Sequence, residues 1–315
     1  MKHTKEELRQ MQSLPLSTKI RMSQQRILEW YEKYDGLVYV SFSGGKDSTV
    51  LKHLVETTPG IRERERERES TVPSVFCDTG LEFPEVRQFA ISQPNVTVIK
   101  PKMRFDAVIQ KYGWPLVSKE VSQLVSEAKH TQSEALRSKR LHGVNGTRTG
   151  MIPYKWQFLV NAPFEVSHKC CDVMKKRPFH QYEKETGRAG IVGVMAEEST
   201  LRLQSWMKYG CNAFDMKRAQ SRPLMFWTEQ DILRYIKDNG LEIAAVYGDV
   251  VKERGKFKTT GRDRTGCICC GFGIALESEP NRFQQLKETH PAQYKYCMDK
   301  LGLREVLDYI SVPYE

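Results

Sequence analysis

The sequence predicts an α/β fold: a parallel sheet flanked by helices in a Rossmann-like arrangement, followed by a small helical, cysteine-bearing C-terminal segment. Short apolar stretches alternate with helical patterns over most of the chain, which is typical of a parallel sheet with right-handed crossovers. A glycine turn separates the first apolar stretch from the next helix, as in phosphate-binding α/β proteins. From about residue 240 the strand signal fades, and the remaining pattern indicates helices around a turn rich in glycine and cysteine.

Each element follows from local periodicity and end signals. Pro15 breaks the first helical pattern, and Thr228 is a good N-cap with Asp231 at the third helical position. The apolar patterns predict helices at 5–34, 47–57, 84–92, 105–112, 119–128, 232–239, 281–289 and 291–309, and strands at 37–42, 72–77, 96–99 and 191–195. We therefore expect N-terminal helices (1–35), an α/β domain (36–235) and a C-terminal helical segment (236–315).

Composition narrows the classes of protein. The chain has 315 residues, 28% of them charged, and a formal net charge of +10, which suits a polyanionic partner such as a nucleotide or a nucleic acid. No apolar run approaches about 18 residues, so no membrane span is expected. The N-terminus lacks an apolar signal segment, which favours the cytoplasm, where eight cysteines indicate metal ligands or buried thiols more than disulfides.

Two charged stretches stand apart from the periodic elements. Arg and Glu alternate over Arg62–Glu69, which puts like charges four residues apart, so the pattern predicts a solvated loop and no helix. The second stretch runs through Arg137, Lys139 and Arg140 and continues to Arg148 and Lys155 with glycines between them. It predicts a mobile basic loop, which is either a solvated charge run or a set of phosphate contacts.

The most informative stretch is Ser43–Ser48, which reads Ser-Gly-Gly-Lys-Asp-Ser between a strand and a helix. Two glycines, Gly44 and Gly45, let the backbone fold closely around an anion, and the helix that follows offers unpaired N–H groups. Lys46 adds charge, and the two serines add hydroxyl donors. The stretch differs from a Walker A loop, since Val40 occupies the first glycine position of that pattern. A phosphate cradle is the favoured interpretation, and a plain glycine turn is the alternative.

The cysteines form a second group. Cys170 and Cys171 are adjacent, and Cys267, Cys269 and Cys270 fall within four positions. Four thiolates suit Zn²⁺ or an iron–sulfur cluster, and an adjacent pair fits a cubane better than a zinc knuckle. The expected ligands are Cys170, Cys171, Cys267 and Cys270, with Cys269 undecided, whereas Cys77, Cys211 and Cys297 are expected in the core. Buried thiols without a metal are the alternative.

Six segments in order resemble the PAPS-reductase group of the PP-loop ATP pyrophosphatase superfamily, from about residue 36 to 273. The segments are Ser43–Ser48, Asp78–Glu85, Lys169–Pro178, Gly193–Arg202, Pro223–Ile232 and Arg264–Cys270. The resemblance implies the adenine nucleotide α-hydrolase-like fold and bound ATP with Mg²⁺. It assigns nucleotide contacts to Ser43, Gly44, Gly45, Lys46, Asp47, Ser48, Asp78, Thr79, Gly80, Gly193, Glu198 and Ser199.

Within that superfamily the motifs are most similar to the iron–sulfur ATP pyrophosphatases of DNA phosphorothioation (Dnd-like) systems. Sulfonucleotide reductases carry a catalytic cysteine in a C-terminal tail, whereas the last cysteine here, Cys297, lies in a helical pattern. The resemblance implies adenylation of a substrate, DNA or RNA, for sulfur insertion, with a [4Fe–4S] cluster that holds sulfur in transit or pins the C-terminal segment. It places Lys46, Asp47 and Arg202 in catalysis and makes a cysteine desulfurase the expected sulfur donor.

Two other functions stay open from the sequence. The chain could be a phosphosulfate reductase that releases sulfite with an external thiol. It could also be a non-catalytic nucleotide-binding scaffold in a complex.

Overall fold

The computed structural model describes residues 2–315, which form two compact units. The first comprises the chain up to Asp78 together with Phe83–Ile99 and Phe179–Thr265, and the second comprises Thr79–Glu82, Lys100–Pro178 and Gly266–Glu315. The domain boundaries predicted from the sequence stay a prediction.

Helices and strands alternate through most of the first unit, and the elements of both units are named here in chain order. The α-helices are α1 (Lys5–Ser13), α2 (Leu16–Lys33), α3 (Lys46–Thr57), α4 (Pro59–Glu67), α5 (Pro84–Ser92), α6 (Phe105–Tyr112), α7 (Lys119–His130), α8 (Glu134–His142), α9 (Arg177–Thr186), α10 (Thr200–Tyr209), α11 (Glu229–Asn239), α12 (Arg282–Thr289), α13 (Pro291–Lys295) and α14 (Leu303–Tyr309). The strands are β1 (Val38–Phe42), β2 (Ser74–Cys77), β3 (Val96–Ile99), β4 (Leu116–Val117), β5 (Ala189–Val192), β6 (Asn212–Ala213), β7 (Gln220–Ser221), β8 (Val250–Glu253), β9 (Lys256–Thr259) and β10 (Gly271–Phe272). Short 3₁₀ or π turns occupy Tyr154–Asn161, Asp172–Lys176, Ala196–Glu198, Ala245–Tyr247, Ile274–Leu276 and Tyr296–Lys300.

The main sheet lies in the first unit and has the strand order β3-β2-β1-β5-β7-β6. All pairs are parallel except β6 with β7, so the predicted α/β class with a parallel sheet is confirmed. Val40 pairs with Ser74 of β2 and with Ile191 of β5. The chain leaves β1 toward β2 and later returns to pair β5 with the other edge of β1. The carboxyl end of β1 is therefore a switch point, where α/β sheets bind ligands.

Buried apolar side chains lie along the parallel sheet. Val38, Val40 and Ile191 are fully or almost fully buried, together with Leu51 and Leu54 of α3. Strands covered on both faces read as continuous apolar runs, which is why short segments of the sequence sufficed to predict the central strands. Within residues 2–315 no helix is long and apolar enough to cross a membrane.

The prediction of a loop at Arg62–Glu69 is wrong for most of that stretch, because α4 extends to Glu67. Alternation places opposite charges three residues apart as well as like charges four apart. The helix is also anchored at specific points. Ile61 is buried, Tyr31 donates a hydrogen bond to Glu65, and Arg64 pairs with Glu32 at 2.7 Å. These contacts outweigh the local repulsion.

The prediction of a mobile basic loop is also wrong in part. Arg137, Lys139 and Arg140 belong to α8, so this part of the basic stretch is a helix and no mobile loop. Ser133 caps the helix by accepting a hydrogen bond from the N–H of Leu136 at 3.3 Å, and basic residues occupy the last turn, where they favour the helix dipole.

The C-terminal segment also differs from the prediction. It contains the hairpin of β8 and β9, so strand structure does not end near residue 240. The helix predicted at 291–309 is divided into α13, a π turn and α14, which begins after Gly302 in the left-handed conformation (φ +77°). Both features depend on one or two residues and leave little periodic signal.

Candidate functional site

The loop Ser43–Ser48 connects the carboxyl end of β1 to the first turn of α3. Gly44 has φ +72°, and a Cβ atom there would lie 2.8 Å from the carbonyl oxygen of Val86, so only glycine suits this position. Helix α3 starts at Lys46 with Gly45 as its N-cap, and a glycine has no side chain that could cap the helix. The Tyr247 hydroxyl accepts a hydrogen bond from the backbone N–H of Lys46. The other N–H groups of the first turn have no side-chain cap, which is the arrangement that binds anions.

The two serines of the loop bond to the loop itself. The backbone N–H of Ser43 donates to Ser48 Oγ at 3.1 Å, and the Ser48 hydroxyl donates to the carbonyl of Gly45 at 2.8 Å. The N–H of Gly45 donates to Ser43 Oγ at 3.3 Å. These bonds fix the curve of the cradle, and the predicted phosphate contacts of the serines stay a prediction.

Lys46 is buried, with a side chain that is only 5% exposed. Its ammonium lies 2.8 Å from Glu229 Oε1, donates a hydrogen bond to the carbonyl of Asp263, and stands 5.6 Å from the ring centroid of Tyr247. Glu229 is 43% exposed. The Lys46 ammonium is therefore held by polar groups at the loop, and one of them, the Glu229 carboxylate, is partly exposed to solvent.

Asp47 is one of several residues with a buried polar atom that has no hydrogen-bond partner among residues 2–315. In Asp47 this atom is the carboxylate oxygen Oδ1. Burial raises the pKa of the Asp47 carboxyl, although the charges of Lys46 and Arg264 act in the opposite direction. An unpaired buried carboxylate oxygen is costly, and a bound cation or a protonated ligand group would remove that cost.

The strand-end segment that follows β5 lies beside the loop. A Cβ atom on Gly193 would lie 3.1 Å from the carbonyl oxygen of Asp47. Glu198 forms ion pairs with Arg202 and, at 3.4 Å, with Arg264. Burial lowers the pKa of Arg202, and the positive charge of Arg264 adds to the effect. Two guanidinium groups thus share one carboxylate, an arrangement that favours an additional anion.

Ser199 has a structural role in this arrangement. Its hydroxyl accepts a hydrogen bond from the N–H of Arg202 at 3.3 Å and caps α10. The structure therefore brings the loop, Gly193, Glu198 and Arg202 together. Their contact with a nucleotide stays a prediction.

Asp78, at the end of β2, is tied to a neighbouring side chain. Its two carboxylate oxygens accept hydrogen bonds from Arg87 Nε at 3.0 Å and Arg87 Nη2 at 2.9 Å. A bidentate pair of this kind holds a carboxylate firmly. Of the two aspartates that the resemblance assigns to nucleotide contacts, Asp47 is the one with an unpaired oxygen, whereas Asp78 would have to exchange an arginine.

Sequence reasoning assigned no role to four residues at the loop. Tyr247 and Asp263 follow no pattern that would mark them. Glu229 and Arg264 lie in segments that resemble the family, but the resemblance attached no role to them. Glu229, Tyr247 and Asp263 meet Lys46 from more than 180 positions away. Arg264 meets Glu198 across 66 positions. Single-sequence patterns carry no such information.

Thr79 and Gly80 belong to the second unit. The Thr79 hydroxyl donates to Glu82 Oε1 at 2.7 Å, and the Thr79 N–H donates to Glu82 Oε2 at 3.2 Å. Gly80 has φ +73°, and a Cβ atom there would meet no atom within 4 Å. The turn is thus closed by its own acidic residue, and Gly80 is needed for its backbone conformation.

The four predicted ligands, Cys170, Cys171, Cys267 and Cys270, also belong to the second unit and carry free thiols. Burial raises the pKa of Cys170, and the charges of the other three raise it further. Burial raises the pKa of Cys270 to about 11. The thiols are therefore close enough to affect one another electrostatically.

Lys175 stands among these thiols. The charge of Cys267 holds the pKa of Lys175 above its usual range, and the two side chains are hydrogen-bonded. Within residues 2–315 no group of three or more His, Cys, Asp or Glu side chains has an arrangement that would hold a single metal ion. Four thiols are the donors that a polynuclear cluster uses, and the cluster itself stays a prediction.

Cys269 and Cys297 form a disulfide, with Cα atoms 5.6 Å apart. The expectation that the cysteines would all be ligands or thiols is therefore wrong for this pair, and Cys269 is no free ligand. Both residues are fully buried, and Cys77 and Cys211 are buried too, as expected. The separation of 28 positions between the two cysteines gave no indication that a π turn places Cys297 against Cys269.

Arg140 is engaged within the protein. Its Nε donates to Glu127 Oε2 at 2.7 Å, and its Nη1 donates to the carbonyl of Gly150 at 2.9 Å. Arg140 therefore stabilises the connection after α8 and is a poor phosphate contact. Arg137 and Lys139 on α8, Arg148 and Lys155 remain as cations for a partner.

Comparisons with known proteins agree with the motifs. Residues 37–132 and 118–270 match the family described as phosphoadenosine phosphosulfate reductase domain, which together is more than half of the chain. Comparison with curated protein sequences finds no match at the significance required. Two solved structures of Candida glabrata FMN adenylyltransferase, one in complex with FAD and inorganic pyrophosphate, are similar at 12% identity and TM-scores of 0.40 and 0.39. The match covers 76% of this chain and 64% and 65% of those chains, which is less than two thirds of their length.

Proposed function

The chain belongs to the phosphoadenosine phosphosulfate reductase domain family, and we propose that it uses ATP to adenylate a nucleic acid so that sulfur can replace an oxygen. One observation carries the proposal. Helix α3 begins two residues after the left-handed Gly44, and at that end it presents a buried lysine and an unpaired buried carboxylate oxygen. This combination suits the triphosphate of a nucleotide with its cation.

The loop would hold the β- and γ-phosphates of ATP. The N–H groups of the first turn of α3 would donate to phosphate oxygens, and Lys46 would exchange Glu229 for phosphate. An acceptor oxygen attacks the α-phosphorus, the new P–O bond forms, and the bond to the bridging oxygen of pyrophosphate breaks. Pyrophosphate leaves with the electron pair of the broken bond. Catalysis therefore needs positioning and charge neutralisation more than covalent chemistry.

The neighbouring charged residues have distinct parts in this proposal. The unpaired oxygen of Asp47 would hold Mg²⁺ directly or through water. Arg202, with Arg264 beside Glu198, would offset negative charge on the phosphates. Glu198 keeps both guanidinium groups in place by its two ion pairs.

The four thiols would hold a [4Fe–4S] cluster, which when bound supplies electron transfer or a binding site for sulfur. Lys175 would offset the negative charge that thiolates bring to a buried position. A cysteine desulfurase as sulfur donor is proposed from the family resemblance alone.

A second candidate is a phosphosulfate reductase, which the family description itself favours. In this structure Cys297 is buried in a disulfide with Cys269. A reductase mechanism would therefore need another thiol, for instance that of thioredoxin.

One experiment separates the candidates. The full chain, purified without oxygen, is incubated with ATP, Mg²⁺ and mixed nucleic acid, and pyrophosphate release is measured. A parallel reaction contains phosphoadenosine phosphosulfate and reduced thioredoxin, and sulfite release is measured. Pyrophosphate release that requires ATP supports the proposal. Sulfite release without pyrophosphate establishes the reductase, and ATP binding with neither product indicates a scaffold.

A further inference from the structure

The second unit exposes aromatic rings beside positive charges. Tyr154 is 65% exposed and Phe158 is 40% exposed. The guanidinium of Arg148 lies 5.6 Å from the ring centroid of Tyr154, and the ammonium of Lys155 lies 5.4 Å from the ring centroid of Trp156. Exposed ring faces can stack on bases, and neighbouring cations can contact phosphates.

The backbone that carries these rings is fixed. Tyr154–Asn161 is a 3₁₀ helix whose Leu159 and Val160 are buried. The side-chain amide of Gln157 donates to the carbonyl of Leu141 at 2.6 Å and to that of Ile152 at 3.2 Å. A partner would therefore meet rings that are already in position, and little conformational entropy would be lost on binding.

A cavity of about 400 Å³ lies next to the same helix, a volume typical of small-ligand sites. Trp156 and Phe158 contribute to its lining, and polar groups come from Lys155, Glu279 and Ser311. The rest of the lining includes Ile274, Ile310, Val312 and Pro313. Glu277 and Asn281 add further polar groups, and a lining that is both polar and apolar suits a planar ring that is apolar on its faces and polar along its edge.

We propose that Arg148, Tyr154, Lys155, Trp156 and Phe158, here called the aromatic-basic surface, bind single-stranded nucleic acid. The cations contact phosphates, unpaired bases stack on Tyr154 and Phe158, and one base enters the cavity. Bases in a duplex are stacked on one another and cannot reach these rings.

The cavity also decides against an anionic membrane as the partner. Its lining includes the carboxylates of Glu277 and Glu279, of which Glu277 is paired with Arg282. A carboxylate repels a lipid phosphate, whereas it accepts hydrogen bonds from the amino group of a base. A net charge of +10 agrees with a long polyanion as partner.

This inference rests on the proposed function only in taking a nucleic acid as the acceptor. Binding of the nucleic acid itself needs neither ATP nor turnover. The test is fluorescence anisotropy of labelled DNA and RNA strands of about 20 nucleotides, longer than the roughly 4–16 nucleotides of one stacking site. A blunt duplex and phosphatidylserine vesicles serve as alternative partners. The full chain is compared with the double variant Tyr154→Ala/Phe158→Ala, and thermal unfolding shows whether each variant folds.

Two matched variants control for the loss of exposed aromatic rings. Tyr154→Phe/Phe158→Tyr keeps both stacking faces and should bind as the wild type does. Phe214→Ala removes a ring of the first unit that is 42% exposed and should leave binding unchanged. Removal of each stacking ring should weaken single-strand binding by about 5- to 150-fold, so the double alanine variant should show a severe loss.

Equal affinity for duplex and single strands, wild-type binding by the double alanine variant, or binding to vesicles alone would each overturn the inference. Single-strand binding that depends on both rings, without ATP-dependent pyrophosphate release, would overturn the proposed function and leave the surface assigned. Pyrophosphate release with no single-strand binding would do the reverse.

Discussion

Replacement of Lys46 by alanine tests the phosphate cradle most directly. The ammonium contacts Glu229 at 2.8 Å and the carbonyl of Asp263. Glu229 is 43% exposed, so water would solvate it in the variant, and the loss of stability should be limited to about 1.5–3 kcal/mol, the net value of a hydrogen bond to a charged group. The variant should therefore fold, and any larger effect on activity reflects the nucleotide.

The effect on activity should be much larger. A charge-assisted contact with phosphate contributes about 1.5–3 kcal/mol to binding. Charge develops on the leaving pyrophosphate in the transition state, and loss of one preorganised group at such a position costs about 10²- to 10³-fold in kcat. The assay is steady-state pyrophosphate release at several ATP concentrations, which separates kcat from KM.

Lys52→Ala is a matched control for this substitution. Lys52 lies in the same helix, its side chain is 6% exposed, and it is ion-paired with Glu56. It should lose comparable stability and keep the activity. Glu229→Gln should lower the KM for ATP, because phosphate no longer competes with a carboxylate for Lys46. Wild-type kcat/KM in the folded Lys46→Ala variant would refute the assignment of the loop.

Four further predictions address the other sites. Burial raises the pKa of Asp47 above its usual 3.8, so the stability of the wild type falls as pH rises through the raised pKa. Asp47→Asn should therefore unfold at a higher temperature than the wild type, by a margin that grows from pH 4 upward. The same variant should lose pyrophosphate release. Anaerobic protein should contain roughly four irons per chain, and iron analysis should show a loss in serine variants of Cys170, Cys171, Cys267 and Cys270, with Cys211→Ser unchanged. Opening the 28-position loop by Cys269→Ser should cost about 3–4 kcal/mol in denaturant unfolding, with iron retained; loss of iron there would make Cys269 a ligand. The triple variant Arg137→Ala/Lys139→Ala/Arg148→Ala should reduce the slope of log affinity against log salt for single strands by about 0.7 for each phosphate that the protein no longer neutralises, and an unchanged slope would remove these residues from the interface.

The fold could be predicted from the sequence where structure depends on local pattern. The central strand Val38–Phe42 is short and apolar on both faces, so it was predicted within a residue or two. The edge strand Val96–Ile99 was predicted from its short apolar run. Helix α4 was missed because Tyr31 and Glu32, more than 30 positions away, hold its charged side chains. Tertiary contacts of this kind override a local preference worth a few tenths of a kcal/mol.

In the candidate site, too, the residues that follow a local pattern were predicted and those that meet only through the fold were not. Residues Ser43–Ser48 were recognisable because a phosphate cradle needs glycine, lysine and hydroxyl groups at fixed spacing. The partners of Lys46 were not, because Glu229 and Asp263 meet the loop only through the fold. The disulfide between Cys269 and Cys297 escaped prediction for a similar reason: cysteine spacing does not determine pairing.

The environment of Lys46 also suggests how the loop works. Burying an isolated ammonium is expensive, and here Glu229 and a backbone carbonyl offset that cost before any nucleotide binds. An incoming phosphate replaces one negative partner by another, so little of its binding energy is lost to desolvation of the lysine. Because Glu229 is partly exposed, the released carboxylate returns to water. Such an exchange limits the affinity for ground-state ATP, while the fixed ammonium remains available to the charge that develops as pyrophosphate departs.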